Sequence, residues 1–134
     1  MSFRTTCVIT AAVTLVLGLG YLVAGSLLVG RWQIEPTEAV LLFGRRIGAV
    51  YLGLAVIFFL ARSAAVSTAR SALCAGAVVT CSLLAILGVL ERAAGHAGPA
   101  ILASAAVELF LALAFVRVLV VDRRPTPRAG RLAT

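Results

Sequence analysis

Residues 99–121 read PAILASAAVELFLALAFVRVLVV, a predominantly apolar stretch that opens with a proline. About 20 apolar helical residues cross hydrocarbon about 30 Å thick, and proline is favoured in the first turn of a helix. The stretch therefore predicts a transmembrane helix. Three comparable stretches precede it, so we predict an all-α fold, an up-down bundle of four transmembrane helices. The predicted spans cover about residues 7–29, 38–61, 71–90 and 99–121, followed by a basic tail at 122–134 that we expect to be disordered in water.

The composition of the whole chain indicates the same class. Hydrophobic residues make up 62% of the 134 residues and charged residues 13%, whereas soluble domains contain about 45–50% apolar and about 25% charged residues. A soluble fold of this size could not bury that much apolar surface. A lipid bilayer can cover it, so the bilayer is the first expected partner.

The net charge is +7, and all twelve basic residues are arginines. Most of them lie beside apolar spans or in the short tail, and no soluble domain presents them to a duplex, so we do not expect nucleic-acid binding. Basic residues that flank apolar spans instead set topology and contact anionic lipid. The tail residues for which we expect such lipid contact are Arg123, Arg124, Arg128 and Arg131.

The distribution of these arginines also predicts the orientation of the chain. Four crossings place both termini on one side, together with Arg4, the loop at residues 62–70 and the basic tail. The opposite side holds Arg31 and Arg92. The positive-inside rule then places both termini in the cytoplasm. The first apolar stretch is too long for the h-region of about 7–15 residues in a signal peptide, so we expect a retained helix.

The second span contains two charged residues. Its uninterrupted apolar run at residues 47–61 is only about 15 residues long, which is too short to cross the bilayer. Extension back to a helix start at Thr37 gives about 24 residues and includes Arg45 and Arg46. We predict the extended helix, because the apolar residues before Arg45 would otherwise form an exposed loop. An interfacial or re-entrant segment that ends at Gly44 is the alternative.

Glu108 lies inside the fourth span, where a central acidic residue costs about 2.5–3.5 kcal/mol on insertion scales and usually faces a partner. Its neighbours one turn away, Ser104 and Ala112, are small and allow close packing. Arg45 lies at a similar depth, since both residues are about 12–14 Å from their helix starts. We therefore predict an intramembrane ion pair between Arg45 and Glu108, assisted by Glu38 on the same face as Arg45.

Small residues cover one arc of the second span and include the G-x-x-x-G spacing that lets helices approach closely. Arg46 lies at the edge of this arc and is expected to extend toward lipid headgroups. Tyr51 could donate a hydrogen bond into a cavity, although we expect it to pack against a neighbouring helix. The residues predicted to pack helices together are Gly44, Gly48, Ala49, Gly53 and, in the fourth span, Ala112.

The three cysteines, Cys7, Cys74 and Cys81, all lie in apolar stretches. Cys74 and Cys81 are about 10 Å apart along one helix, beyond the reach of a disulfide. We expect all three to pack as small apolar residues, and a redox pair of Cys7 with Cys74 is the alternative. His96 stands alone in a turn, so we expect no metal site and no cofactor. No spacing typical of a catalytic nucleophile and base is found, and we do not expect an enzyme.

The sequence FGRRIGAVYLGL at residues 43–54, with residues 60–62 and 69–70 after it, resembles a pattern found in small bacterial membrane proteins of the DoxX-like kind. The resemblance covers about a quarter of the chain. It implies a compact four-helix bundle in a bacterial inner membrane, associated with other membrane proteins. It transfers no catalytic residues to this chain.

Two functional hypotheses follow from these patterns. The first is a structural or accessory subunit that packs with membrane partners or with itself through its small-residue faces. The alternative is a small transporter, or a binder of lipid or another hydrophobic ligand, in which Arg45, Glu108 and Tyr51 line a polar pocket. A dry, paired Glu108 would favour the first hypothesis, and a cavity that reaches Glu108 would favour the second.

Overall fold

The computed structural model describes residues 1–122, which form helices joined by short connections. Four of these helices are long and apolar enough to cross a membrane. This confirms the predicted all-α fold. The helices are α1 (Phe3–Val23), α2 (Gly25–Arg31), α3 (Glu38–Ala61), α4 (Thr68–Ala93) and α5 (Ile101–Asp122). The arginines predicted to contact lipid, Arg123, Arg124, Arg128 and Arg131, lie outside the described residues.

Hydroxyl side chains mark the starts of three long helices. Ser2, Thr37 and Ser67 each accept a hydrogen bond from the backbone N–H three residues later, at the starts of α1, α3 and α4. Such N-caps satisfy backbone donors that have no partner within the helix. The cap at Thr37 begins α3 before the arginine pair, and the helix continues without interruption through Gly44. The re-entrant alternative is therefore not observed.

The structure divides the first predicted span, at residues 7–29, into two helices. Ala24, with φ −137° and ψ 33°, leaves the helical conformation between α1 and α2. α2 then packs back on α1, where a Cβ on Gly20 would lie only 2.9 Å from Leu28. Glycines weaken this part of the helix, and the absence of a side chain at Gly20 leaves room for α2. The expected single helix is therefore replaced by α1 and a short α2.

The long helices pack as two pairs, α1 with α3 and α4 with α5. The first pair is closest at Gly18 and Gly48, where a Cβ added to Gly48 would lie 2.9 Å from the Gly18 carbonyl oxygen. Gly44 contacts the ring of Tyr21 on the same face. In the second pair, Gly88 lies against Ala105. Small residues thus set the helix separation in both pairs.

One end of the bundle contains a packed core. Phe58 of α3 and Phe115 of α5 meet there with ring centroids 5.5 Å apart. Cys7 and Cys74 are completely buried in this core as free thiols, where they fill small volumes between helices. We call this region the core end; its buried residues are Phe3, Cys7, Ala11, Phe58, Cys74, Ala77, Phe115 and Val118.

An ion pair lies at the core end and links helices there. The guanidinium of Arg70, near the start of α4, donates to Asp122 at the end of α5 over 2.9 Å, and both side chains are largely buried. Arg70 also donates to the Ala64 carbonyl oxygen, and its guanidinium lies 3.9 Å from the centroid of the Phe3 ring. A single side chain thus connects α1, α4 and α5. The sequence had placed Arg70 in a loop and Asp122 in the tail.

At the opposite end, the connections rather than the helices meet. The backbone N–H of Gly98 donates to the carbonyl oxygen of Trp32. A side chain at Gly98 would collide with Gln33, which itself adopts a positive φ of 60°. Exposed His96 lies nearby in sequence, with its Nδ1 2.8 Å from the Glu91 carboxylate. The two helix pairs are therefore joined at both ends of the bundle.

Candidate functional site

A cavity of about 630 Å³ lies between the two helix pairs, near the middle of the spanning helices. All four long helices contribute to its walls. The two helix pairs meet at the core end and, through the connections, at the other end. Between these ends, small residues along α4 and α5 leave space between the two pairs. Gly76 is one example, since a Cβ added there would meet no other atom within 4 Å. The volume lies within the range of about 300–1,000 Å³ that is typical of small-molecule sites.

Most of the cavity wall is aliphatic. The polar residues are few, and two of them, Thr10 and Thr14, belong to a ladder of buried threonines on α1. The Thr10 hydroxyl donates to the Thr6 carbonyl oxygen over 2.9 Å, and that of Thr14 donates to the Thr10 carbonyl oxygen over 2.8 Å. Their hydroxyl protons are therefore engaged within α1, and both oxygens can only accept from a ligand. The other polar lining residues are Tyr51, Thr80, Cys81, Ser104 and Glu108.

Among these lining residues, Glu108 is the one that carries a carboxylate. It is half-buried, and it lies within electrostatic range of the hydroxyls of Tyr21 and Tyr51 and the thiol of Cys81. Within residues 1–122, its carboxylate has neither a hydrogen-bond partner nor a cation at ion-pair distance. A carboxylate in such apolar surroundings is unfavourable without a partner. The cavity thus contains an ionisable group whose bonding capacity is unused.

The structure does not bring Arg45 and Glu108 together. Arg45 is exposed, and the ion pairs of residues 1–122 are Arg70 with Asp122 and His96 with Glu91. Equal depth in the membrane does not bring Arg45 to Glu108, because the rotation of α3 directs Gly44 and Gly48 toward α1. Arg45 follows Gly44 by one residue, about 100° around the helix, and so points away from the other helices. The predicted ion pair is therefore not formed.

The other predicted site residues lie in the cavity wall, between packed helices or on the exposed surface. Tyr51 and Ser104 line the cavity with Glu108, and Ala112 is buried. Glu38 and Arg46 are exposed and contact neither Glu108 nor the cavity. Gly44 and Gly48 pack against α1 as predicted, whereas Ala49 and Gly53 are exposed, and nothing lies within 4 Å of a Cβ built on Gly53.

Three aromatic rings connect the cavity to the end of α2. Tyr51, in the cavity wall, stacks on Tyr21 with centroids 6.2 Å apart and planes 9° apart. Tyr21 in turn meets Trp32 edge-on at 6.5 Å. The sequence shows each of these residues separately but not their contact. The contact depends on Gly44 and Gly48, whose missing side chains let α3 approach α1 beside Tyr21.

No family model matches the chain, and no curated protein or solved structure is significantly similar to it. The resemblance to DoxX-like proteins therefore stays a prediction. In residues 1–122, no group of three His, Cys, Asp or Glu side chains is arranged to hold a metal ion.

Proposed function

We propose that this chain is a membrane-embedded binding protein for small, mainly apolar molecules, and that the cavity around Glu108 is its binding site. The observation that carries the proposal is the unpaired Glu108 carboxylate in the wall of an otherwise largely aliphatic space. Empty volume loses dispersion contacts, and an unpaired carboxylate in apolar surroundings is unfavourable. Neither feature benefits a purely structural subunit, whereas a ligand would use both.

The dimensions of the cavity support this proposal. About 630 Å³ accommodates a drug-sized molecule, and sites of this kind combine apolar walls with a few polar groups that orient the ligand. The walls belong to four helices that are joined at both ends of the bundle. Such a site is held open by the scaffold, so a ligand does not have to order it on binding.

The arginine distribution supports a proposed orientation in which the core end faces the cytoplasm. Arg4, Arg62 and Arg70 are near that end, whereas Arg31 and Arg92 are near the other end. In a bacterium, the membrane would be the inner membrane. The cavity would then be near the midplane, where apolar molecules dissolved in lipid can reach it. Reporter fusions at the two termini test this orientation.

The binding proposal is tested with a neutral apolar dye, N-phenyl-1-naphthylamine, titrated into the protein in phosphatidylcholine nanodiscs. Gly76 lines the cavity and has open space at its Cβ, so Gly76→Phe is designed to place a large ring in the cavity without a clash at the Cβ. We expect at least tenfold weaker dye binding by this variant. Gly53→Phe is the matched control, because Gly53 also has open space but lies outside the cavity.

The proposal requires that Gly53→Phe bind the dye as the unmodified chain does. Empty nanodiscs measure the dye that dissolves in lipid, and this signal is subtracted. Equal affinities of the Gly76→Phe and Gly53→Phe proteins would contradict binding in the cavity. So would the absence of any binding above the lipid signal.

An accessory subunit is the second candidate function. It is favoured by the exposed small residues Ala49 and Gly53, which offer a surface that a helix of another protein could approach closely. A stoichiometric protein that co-purifies with the chain in mild detergent, and is lost in Gly53→Phe, would support this candidate. Co-purification that is unchanged by Gly53→Phe would count against this surface.

A further inference from the structure

We propose that the cavity selects organic cations, molecules that combine an apolar body with an ammonium group. In this proposal Glu108 is the counter-ion and Tyr51 is an aromatic wall beside the charge. The inference rests on the proposed binding function and names its ligand class. The decisive juxtaposition is a carboxylate without a cation among residues 1–122 and a stacked aromatic ring, both in the wall of one apolar space between four helices.

The charges around the cavity favour a positive ligand. No arginine of residues 1–122 lines the cavity, and the other described carboxylates lie in connections or near helix ends. An anionic ligand would therefore meet only like charge there, and a purely apolar ligand would leave Glu108 unpaired. A cation would form a charge-assisted contact in surroundings of low polarity, where such contacts are stronger than in water.

The hydroxyl groups of α1 in the cavity wall support the same selection. Thr10 and Thr14 line the cavity and use their hydroxyl protons within α1, so their hydroxyl oxygens can act only as acceptors toward a ligand. A protonated amine can donate to such oxygens, and a quaternary ammonium group is attracted to their partial negative charge. This part of the wall cannot donate a hydrogen bond to an anionic or carbonyl-containing ligand.

Tyr51 provides an aromatic surface. Aromatic rings attract a cation that lies over the ring face within about 6 Å of the centroid, and desolvation strengthens the attraction. Stacking on Tyr21, which itself contacts Trp32, holds the Tyr51 ring in place. A ring that is already fixed loses little conformational freedom when a ligand binds.

Two probes of the same shape test the inference. Benzyltrimethylammonium and neopentylbenzene differ chiefly in the replacement of the charged nitrogen by carbon. Their binding to the protein in phosphatidylcholine nanodiscs is measured by displacement of N-phenyl-1-naphthylamine, with empty nanodiscs as the blank. We expect the ammonium probe to bind at least tenfold more tightly than its neutral isostere, because only the ammonium pairs with Glu108.

Glu108→Gln keeps the shape of the side chain and removes its charge. We expect this variant to bind the ammonium probe at least tenfold more weakly and to change the affinity for neopentylbenzene by less than twofold. Glu38→Gln is the matched control, because Glu38 is an exposed carboxylate in the first turn of α3, outside the cavity. It should bind both probes as the unmodified chain does.

A second variant tests the same point with the carboxylate left in place. Ser104 lies one helical turn from Glu108 and also lines the cavity. Ser104→Lys should supply a cation to Glu108 and thereby prevent ammonium binding.

Two variants of Tyr51 test the aromatic wall. Tyr51→Phe keeps the ring and should retain ammonium binding, whereas Tyr51→Leu removes the ring and should weaken ammonium binding threefold or more.

The outcomes separate this inference from the proposed function. If the dye and both probes bind with affinities that Glu108→Gln and Ser104→Lys leave unchanged, the cation inference is overturned and binding in the cavity stands. If the dye does not bind in the cavity, both proposals are overturned. A tenfold preference for the ammonium probe that disappears in Glu108→Gln supports both.

Discussion

The bundle uses two acidic residues of α5 in opposite ways. Asp122, at the core end, is held by Arg70 at 2.9 Å in contacts that connect three helices. Glu108, about two thirds of the helix away, lines a cavity with no cation of residues 1–122 beside it. The Asp122 carboxylate thus helps to hold the helices together at the core end, whereas the Glu108 carboxylate lies in the wall of the cavity, where a ligand could contact it.

The packing around the two carboxylates differs in the same way. The core end brings aromatic and small side chains of all four long helices into contact, including Phe58 with Phe115. At the level of Glu108, the two helix pairs are separated, and each pair is held together by its own glycines. Side-chain packing between the two helix pairs is therefore concentrated at the core end, and the open region can carry a function that needs space.

The largest effect is expected from loss of the ion pair at the core end. Arg70→Ala removes the partner of the largely buried Asp122 carboxylate and also the contact with the Phe3 ring. Loss of one member of a buried pair costs about 3–5 kcal/mol, because the remaining charge is left without compensation. The measurement is the free energy of unfolding in mixed micelles of mild detergent and dodecyl sulfate.

Arg62→Ala provides the control for this prediction. Arg62 is near the same end of the bundle, but its guanidinium contacts Phe59 of its own α3 segment. Its loss should change the unfolding free energy by less than about 1 kcal/mol, as for most exposed interactions. Equal effects of Arg70→Ala and Arg62→Ala would show that the core end does not depend on the pair with Asp122.

Two glycines give a smaller and more local comparison. In Gly48→Ala, the new Cβ would lie 2.9 Å from the Gly18 carbonyl oxygen, so the two helix backbones must separate. Overpacking of this kind typically costs about 1–3 kcal/mol. Gly76→Ala adds a methyl group that meets nothing within 4 Å, and it should stabilise α4 slightly through helix propensity. The midpoint temperatures of thermal unfolding of the two variants should therefore shift in opposite directions. A shift of both midpoints in the same direction would contradict the described packing.

Much of the fold follows from the sequence because membrane helices have a length and composition that few other elements share. The bounds of α3 coincide with the predicted bounds, since the Thr37 cap and the end of the apolar run are local signals. The break at Ala24 was missed, because it depends on how α2 packs against Gly20 rather than on hydropathy. The contact of Arg70 with Asp122 was missed for a similar reason, since it joins residues far apart in sequence.

The candidate site was predictable only in part. Glu108, Ser104 and Tyr51 stand out in the sequence as polar residues within apolar helices, and the structure places all three in one cavity wall. Arg45 shares a depth with Glu108, but depth does not determine which way a helix is rotated. That rotation is set by the glycine contact between α1 and α3, and it places Arg45 on the outside of the bundle.

The smallest effect, and the one that most sharpens the comparison, is expected at Glu108 when each of the two carboxylates is replaced by its neutral amide. Glu108→Gln replaces a carboxyl group that has no partner among residues 1–122 by a neutral amide, so we expect the unfolding free energy to stay constant or to rise by up to about 1 kcal/mol. Asp122→Asn removes a charge that is paired with Arg70, and it should destabilise the bundle by more than about 1 kcal/mol. Both are measured by unfolding in mixed micelles without ligand. Marked destabilisation by Glu108→Gln would mean that Glu108 has a stabilising partner, and the two carboxylates would then share one structural role.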